Sequence, residues 1–481
     1  MKALFAIVKL TLRNAIRSHV FQLLLLFLVL CVALVPTTVG GSTAIDFIRV
    51  SLLYSLNGVG TILSLSALWV GCHVMSADID SYQLHMVVSK PVSRVTIWLG
   101  KFLGVLILHL VLMAFAAAAI YGVVVWRFAN EDFAAAERDR IRSEVLVGRR
   151  VYLPERRDYP TLANRMKDER IRAQIADGRR RDPNVSPSEQ ERIFKDCFKK
   201  LIVEDSETAA GKNREWVFRG VPRNAERMLY LRYRPYVTKV RSEEQRDTQL
   251  WWYVYAPRQR LKPAADEAAG AAEEDIGEIQ RFPHSVTSAP VMLRAGEFHE
   301  SRLPGDRDIV SPKGEVRLGV INLDPKGDKQ YYQPIDGPKL LVEVTGFAGN
   351  YARAALVLAL QLVLMTTLSC AFGGFLTLPT AVFVSICYLL FGFVSTFMTD
   401  KDYYINGTMD RIGQWIAGMM LNVVVPLGRF DVTDLIADGE LVEWSLIWHL
   451  VSSCLLIRAL PLALFGIYFY WRREIGLEIK K

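Results

Sequence analysis

Apolar residues are concentrated at the two ends of the chain, and a long charged segment separates the two apolar regions. A helix needs about 20 mostly apolar residues to cross the hydrocarbon core of a bilayer. Six runs reach that length: Val20–Val39, Ser51–Val74, Ile97–Trp126, Ala352–Phe375, Thr380–Met398 and Leu446–Trp471. The pattern therefore predicts an α-helical polytopic membrane protein with six transmembrane helices, three within residues 19–126 and three within residues 351–481.

A seventh apolar stretch, Ile412–Leu427, is shorter than these runs and contains Pro426 near its end. An apolar run of about 10–14 residues is more often re-entrant or interfacial than membrane-spanning. We therefore expect a re-entrant segment on the outer side over residues 411–428. The alternative is a seventh span, which would place Arg472 and Arg473 on the outer side.

The first residues, 1–18, combine cations and apolar side chains at helical spacing. On a helix, one narrow face carries Lys2, Lys9, Arg13 and Arg17, and the other carries Leu4, Phe5, Val8, Leu12 and Ile16. This arrangement is typical of an amphipathic helix that lies in the membrane interface with its cations toward lipid headgroups. A cytosolic extension of the first span is the alternative.

Positive residues in short loops mark the cytoplasmic side of a membrane protein. With six spans, three basic clusters fall on one side: before the first span, between the second and third spans (Lys90, Arg94 and Lys101), and after the last span. The rule therefore predicts that both termini are cytoplasmic. It also places the long insertion, residues 127–350, outside the membrane as an extracytoplasmic domain.

The inserted segment changes its pattern along its length. Residues 131–205 carry dense charge and few helix breakers, which predicts helices. Residues 214–346 contain short runs that alternate apolar and polar positions, such as Leu229–Tyr233 and Val316–Val320. Together these patterns predict an α+β domain with an antiparallel β-sandwich, in which one face of each sheet is buried.

Two adjacent tryptophans, Trp251 and Trp252, lie in one of the predicted strands. Successive side chains of a strand point to opposite faces of the sheet, so one indole is expected in the core. The sequence leaves the role of the other open. It packs within the domain or against a subunit, or it stacks on a sugar or a lipid.

Composition narrows the functional classes. The 481 residues are 51% hydrophobic and 22% charged, with a formal net charge of +8. Most of the 58 lysines and arginines lie among acids in the inserted segment, so no basic patch predicts nucleic-acid binding. The six cysteines show no metal-ligand spacing, and the chain lacks GxxxxGK followed by Ser or Thr, HExxH and GxSxG. We expect no catalytic residue, metal or cofactor in this chain.

The loop after the second predicted span is expected to be cytoplasmic. Asp78 and Asp80 precede a short amphipathic piece with Leu84, Val87 and Val88 on one edge. We expect a short helix held against the membrane, with the two acids complementing its N-terminal dipole. An amphipathic loop resting on lipid headgroups is the alternative.

Three segments carry specific motifs. The first contains Lys90, Pro91, Ser93 and Arg94, followed by Gly100 and Lys101 at the start of the third span. The second is Pro426–Asp431, and the third is Trp471–Glu474, which contains Arg472, Arg473 and Glu474. These segments resemble ABC-2-type exporter permeases, whose patterns are Lys-Pro-x-Ser-Arg with Gly-Lys, an outer Pro-x-x-x-Phe-Asp, and a closing Arg-Arg-Glu. The resemblance is nearest to multicopper-enzyme-maturation and gliding-motility permeases.

The chain departs from the family pattern at Ser81-Tyr82-Gln83, where members usually have Gly-Thr, and in the inserted domain, which the simplest members lack. The resemblance implies a transport subunit of the bacterial cytoplasmic membrane and not an enzyme. Two permease copies, identical or related, would bind ABC ATP-binding subunits that carry ATP and Mg.

In such a complex the loop over residues 76–96 would be the coupling loop. Its contact residues would be Asp78, Asp80, Tyr82, Gln83, Leu84, Val87 and Val88. Closure of the ATPases would rock the spans between inward-open and outward-open states.

One charge lies deep in an apolar run. Arg458 is near the middle of the last predicted span. A charge there costs at least about 2.5–3.5 kcal/mol on insertion scales, so Arg458 should face the bundle interior or water. Carbonyls freed around Pro461 are the expected partners. No acid lies inside a predicted span, which disfavours a secondary transporter. That class and a membrane-anchored extracytoplasmic binding or scaffold protein are the two alternatives to an exporter permease.

Overall fold

The computed structural model describes most of the chain. The described residues are 2–38, 43–80, 92–155, 157–177, 186–223, 229–237, 247–257, 281–287, 289–303, 309–333, 336–399, 409, 412–413, 415–416, 418–419 and 424–472. They divide into two compact units. The helical unit consists of Met1–Gly148 with Thr345–Lys481, and the inserted unit consists of Arg149–Val344.

The helices of the described residues fall mainly in the helical unit. In chain order they are α1 (Lys2–Arg17), α2 (His19–Thr38), α3 (Ala44–Asp80), α4 (Arg94–Asn130), α5 (Ala135–Glu144), α6 (Tyr159–Ala176), α7 (Pro187–Ser206), α8 (Phe347–Gly373), α9 (Leu378–Thr399), α10 (Thr433–Ala437) and α11 (Trp444–Arg472). Helix α11 contains a π-helical stretch, Leu450–Ala459. Helix α5, which the sequence places in the insertion, belongs by its contacts to the helical unit.

Within the described residues, four helices are long and apolar enough to cross a membrane. They are Ala44–Ser76 of α3, and α4, α8 and α11. A fifth span results if α1 and Phe21–Val35 of α2 form one bent pair, and the apolar part of α9, Leu378–Val394, is shorter. These helices support the prediction of a membrane protein. By helix length and composition, the described residues provide fewer spans than the six predicted.

Helices α3, α4 and α8 share the main apolar core of the helical unit. Leu52 of α3, Met113 of α4 and Leu358 of α8 are among its buried side chains. The re-entrant segment predicted over residues 411–428 lies mostly outside the described residues. The described chain resumes at Val424, forms a short 3₁₀ turn at Leu427–Phe430 and continues into α10.

The strands belong to three sheets. In chain order they are β1 (Val147–Tyr152), β2 (Glu207–Thr208), β3 (Asn213–Phe218), β4 (Leu229–Tyr233), β5 (Tyr236–Val237), β6 (Asp247–Pro257), β7 (Arg281–Ser285), β8 (Val291–Arg294), β9 (His299–Arg302), β10 (Val316–Asn322), β11 (Gln330–Tyr331) and β12 (Lys339–Gly346). Sheet A has the order β1-β12-β4-β9, sheet B the order β3-β10-β6-β7 with β8 also paired to β6, and sheet C the order β2-β11-β5.

Antiparallel pairing confirms the strand predictions made from alternation. The runs at Leu229–Tyr233 and Val316–Val320 form β4 and most of β10, and both pair antiparallel with their neighbours. Leu231 of β4, Leu340 of β12 and Leu318 of β10 belong to one buried core, so sheets A and B contribute to the same interior. Strand β1 was not predicted. This segment is a strand because it pairs with β12 in sheet A. That contact is distant in sequence, so the local density of charged residues does not predict it.

A buried ion network lies on sheet A. Arg149 of β1 and Arg232 of β4 both pair with Glu300 of β9, and the three side chains are at most 6% exposed. The guanidinium of Arg149 also lies over the ring of Tyr230, 5.4 Å from its centroid. Burying a charge is costly unless an opposite charge and hydrogen bonds compensate it. One carboxylate therefore holds two buried cations in place.

Removal of this carboxylate charge is the first test. Glu300→Gln removes the carboxylate charge that both buried guanidinium groups contact, and we expect a loss of stability of about 3–5 kcal/mol. The control is Glu297→Gln, whose partner Arg294 is 3.4 Å away in a surface pair with both side chains at least half exposed. That change should cost about 1 kcal/mol or less. Thermal unfolding of both full-length variants measures the difference, and equal midpoints would contradict the role assigned to Glu300.

Candidate functional site

The Ser93–Lys101 motif forms the beginning of helix α4. Ser93 is its N-cap residue, and the Ser93 hydroxyl oxygen accepts a hydrogen bond from the backbone N–H of Thr96 at 3.2 Å. Serine suits this position because its side chain satisfies one of the N–H groups that have no partner in the first helical turn. The motif serine therefore fixes where the third predicted span starts.

Arg94 joins the start of α4 to the end of α11. Its Nη1 donates to the backbone carbonyl of Trp471 at 2.8 Å. The last carbonyls of a helix lack intrahelical partners and carry partial negative charge, so a cation is favoured there. Arg472 is exposed and lies over the ring of Tyr468, 5.0 Å from its centroid. Arg473 and Glu474 lie outside the described residues. The structure thus brings two motif segments together.

Lys101 joins α4 to α3. Its Nζ donates to the backbone carbonyl of Val74 at 2.7 Å, and the residue is only 5% exposed. A buried ammonium group requires such a partner, and the distance is typical of a strong charge-assisted bond. The lysine of the motif therefore links the two helices on either side of the predicted coupling loop.

An apolar cluster surrounds these polar links. We call it the helix-end cluster, and it consists of Met75, Ile97, Trp98, Cys370 and Tyr470. The indole Nε1 of Trp98 donates to the carbonyl of Cys370 at 3.3 Å. The cluster unites the C-terminal ends of α3, α8 and α11 with the N-terminal end of α4. Sequence reasoning missed Trp98, although it stands two residues before the motif glycine.

Gly100 and Gly104 allow α1 to pack closely against α4. A Cβ atom at Gly100 would lie 2.6 Å from Cγ2 of Ile7, and one at Gly104 would lie 2.7 Å from Cβ of Thr11. Small residues four positions apart let two helices in a membrane approach closely. The predicted amphipathic helix α1 therefore contacts the rest of the unit through one face, and its cations are exposed.

The predicted coupling residues are described only in part. Asp78 and Asp80 belong to the last turn of the long helix α3. Helix α3 thus continues past the predicted span end at Val74. The short helix predicted after these acids lies outside the described residues, so the role of the acids at its N-terminus stays a prediction. Tyr82, Gln83, Leu84, Val87, Val88, Lys90 and Pro91 lie outside the described residues.

Arg458 lies in the π-helical stretch of α11. Its Nη1 donates to the carbonyl of Ser453 at 2.9 Å and also contacts the hydroxyl of Ser453. These two acceptors are five residues earlier in the chain, the spacing at which a π-helix brings residues together. The expected carbonyls around Pro461 are not the acceptors in these two bonds. The side chain of Arg458 is half-buried.

The second motif segment packs at the other end of α3. Phe430 is buried, and the carboxylate of Asp431 accepts from the hydroxyl of Thr433 at 2.6 Å. That hydroxyl lies 3.1 Å from Oδ1 of Asn57 in α3. Arg49, near the start of α3, pairs with Asp438 at 3.1 Å. The Phe-Asp segment thus attaches α10 to the first half of α3.

The inserted unit has an open pocket on one face of sheet B. It holds about 470 Å³ and is lined in part by Trp251, Tyr253 and Tyr255 of β6. Trp252 points the other way into the core and is 1% exposed, whereas Trp251 is half-buried at the pocket. The expectation that one of the two indoles is in the core is therefore confirmed, and the buried one is Trp252.

Comparisons with known proteins do not assign the chain to a family. No protein-family model matches it, and no curated protein or solved structure matches it either. Among the residues that the structure describes, no group of three His, Cys, Asp or Glu side chains is arranged to hold a metal ion. The candidate functional sites are therefore the helix-end cluster with its motif residues and the open face of sheet B.

The close contact at Gly100 provides the second test. Gly100→Ala places a methyl group against the branched side chain of Ile7, and overpacking of this kind costs about 1–3 kcal/mol. The control is Gly122→Ala in the same helix, where nothing lies within 4 Å of the added atom. There the better helix propensity of alanine should be neutral or stabilising by about 1 kcal/mol. Thermal unfolding of the purified variants measures both effects. A Gly100→Ala protein as stable as Gly122→Ala would contradict the packing of α1.

Proposed function

We propose that the chain is the membrane-spanning permease subunit of an ATP-driven ABC exporter and works with a separate ATP-binding subunit. The observation that supports this proposal is that motif residues contact neighbouring helices at one end of the helical unit. Arg94 bonds to Trp471, and Lys101 bonds to Val74. A force applied to the loop between α3 and α4 would reach α8 and α11 through the helix-end cluster, as an exporter requires.

We propose six spans with both termini in the cytoplasm of a bacterial cell. The convergence of three helix C-termini with the start of α4 agrees with this topology, because all four ends would then lie on the cytoplasmic side. Helices α2 and α9 would supply the two further spans. Both expose large apolar side chains, including Leu26 and Phe27 of α2 and Leu390 and Phe391 of α9, which lipid would cover. The inserted unit would lie outside as an α+β domain whose sheets A and B form a sandwich around their common core.

A second permease copy, identical or related, is the proposed partner within the membrane. In α11 only 22% of the apolar window is buried inside the chain, compared with 56–61% in the other three candidate spans. Leu456, Ile457 and Leu460 are among its exposed apolar side chains. Lipid or a second subunit must cover this surface. Arg458 on the same helix is half-buried, and we propose that it faces this interface or a hydrated cavity.

The ATP-binding subunit would dock on the loop over residues 76–96. ATP and Mg would be bound by that subunit and not by this chain. Asp78 and Asp80 end α3, and Lys101 ties the same region of α3 to α4. Movement of the loop by a closing ATPase would therefore displace α3 and α4 together.

The third test concerns the partner. Full-length protein purified from its native membranes should retain an ABC ATP-binding subunit in comparable amount. The double change Asp78→Lys and Asp80→Lys, or Leu84→Asp, should weaken this association or uncouple ATP hydrolysis from transport. The control is Asp168→Lys with Glu169→Lys, two acids exposed on α6 of the inserted unit. A wild-type preparation without any ATPase would exclude the exporter and favour an anchored binding protein.

The fourth test concerns topology. A cysteine at position 186 should react with a membrane-impermeant maleimide in intact cells, because the inserted unit is proposed to be outside. A cysteine at position 480 should react only after the cells are permeabilised. The native Cys197 of the inserted unit is 3% exposed, so it should contribute little background. Labelling of position 480 in intact cells would overturn the six-span arrangement.

A further inference from the structure

The outward face of sheet B carries an aromatic row where a solvent-facing sheet surface is usually polar. Trp251, Tyr253 and Tyr255 alternate along β6 with the buried Trp252 and Val254. Side chains on one face of a strand repeat at about 6.8 Å. The three side chains therefore share one face of the strand, half-buried and beside the pocket of about 470 Å³. The rings of Tyr253 and Tyr255 meet edge to face, at 73° with centroids 5.8 Å apart.

Gly319 makes room for the central ring. It pairs with Tyr253 on one side and with Glu215 on the other. A Cβ atom at Gly319 would lie 2.2 Å from Cζ of Tyr253, so the phenol lies directly over the glycine. A side chain at this position of β10 would displace the ring. The glycine thus lets Tyr253 reach across β10 to the next strand.

Hydrogen bonds fix the two tyrosine rings. The hydroxyl groups of Tyr253 and Tyr255 both donate to Oε1 of Glu215, at 2.9 Å and 2.8 Å. The amide Nδ2 of Asn213 donates to the Tyr253 hydroxyl oxygen at 3.1 Å. Burial raises the pKa of Tyr253 to about 12, so the phenol stays protonated and neutral at physiological pH. The second carboxylate oxygen, Oε2 of Glu215, has no hydrogen-bond partner among the residues that the structure describes.

The indole of Trp251 is anchored at its edge. Its Nε1 donates to Oγ of Ser285 at 2.7 Å and lies 3.2 Å from the carbonyl oxygen of Thr287. These contacts hold the N–H edge against β7 and the residues that follow it. An aromatic ring held by its polar edge presents its apolar face as a preformed surface, with little conformational freedom to lose when a ligand binds.

The chemistry of the pocket selects the ligand class. Its volume is within the range of about 300–1,000 Å³ that small-molecule sites occupy. The described residues that line it are uncharged, and they combine aromatic rings with amide and hydroxyl groups. Pyranose sugars match this combination, because their C–H faces pack on aromatic rings while their hydroxyl groups exchange hydrogen bonds at the rim. An anion would be repelled by the carboxylate of Glu215, which binds the two phenols beside the pocket.

We propose that the open face of sheet B binds an oligosaccharide of uncharged pyranose units, with successive sugars lying along the row Trp251, Tyr253 and Tyr255. Asn213 and Oε2 of Glu215 would bind sugar hydroxyl groups at one side of the row. The site belongs to the inserted unit alone, so the proposal does not depend on the export function.

Calorimetric titration of the full-length protein with cellotetraose tests the proposal. Each β-1,4-linked glucose has equatorial hydroxyl groups and exposes C–H bonds on both ring faces. Chitotetraose and maltotetraose serve as further probes. The detergent must be a polyoxyethylene ether, because the headgroup of a glycoside detergent would compete for the site. We expect saturable binding of at least one of the three oligosaccharides.

Variants locate the binding. Trp251→Ala should weaken the affinity at least about tenfold, and Trp251→Phe should weaken it less because a ring face remains. Gly319→Ala should also weaken binding, since it displaces Tyr253 without removing any side chain that contacts the sugar. Phe298→Ala removes an exposed ring outside the pocket and should leave the affinity unchanged. Thermal unfolding verifies that each variant is folded. If Trp251→Ala does not fold, Trp251→Phe still tests the role of the indole.

Three outcomes would overturn the proposal. One is the absence of saturable binding for all three oligosaccharides. The second is wild-type affinity in both Trp251→Phe and Gly319→Ala. The third is binding of tetramethylammonium, and not of sugar, that is lost in Gly319→Ala, because the face would then be a cage for a cation.

Discussion

A polar group buried in the helical unit is costly without a partner inside the protein, and polar bonds between its segments hold the central helices in one arrangement. His109 of α4 illustrates it. Its Nδ1 is 2.8 Å from the carbonyl of Val105, so Nδ1 carries the proton, and its Nε2 accepts from the hydroxyl of Ser66 in α3 at 3.0 Å. Asn350 of α8 donates to the carbonyl of Glu440 and accepts from the N–H of Val442, both at 2.8 Å. A rotation or slide of one helix would break such bonds and leave polar atoms in apolar surroundings.

The two ends of the helical unit are linked by different kinds of polar contact. At the helix-end cluster, the links are made by cations: Arg94 to Trp471 and Lys101 to Val74. At the other end of α3, an ion pair and an Asp-Thr-Asn chain attach α10, with Arg49 on α3 bonded to Asp438. The proposed force from an ATPase would enter at the helix-end cluster, where Arg94 and Lys101 link α4 to α11 and to α3.

The inserted unit is held together by a buried ion network and by packed aromatic rings. Its two buried arginines share one glutamate, and its core tryptophan, Trp252, packs against Trp216 and Tyr233 at centroid distances of 5.6 and 4.9 Å. On the outward face of sheet B, one carboxylate, that of Glu215, orients both tyrosine rings. A rigid core behind a rigid aromatic face is the arrangement that a preorganised binding site needs.

Sequence alone determined the division into apolar spans and a charged insertion, because span length and strand alternation are local properties of the chain. It also determined that Trp251 and Trp252 face opposite sides, since the period of a strand is set by its backbone. Only the tertiary structure decided which indole is buried, because that depends on which face of sheet B meets the core. Likewise, the motif predicted Arg94 and Lys101 as important but not their partners. Trp471 and Val74 are 377 and 27 residues away along the chain, and only the packing of α3, α4 and α11 brings them within hydrogen-bonding distance.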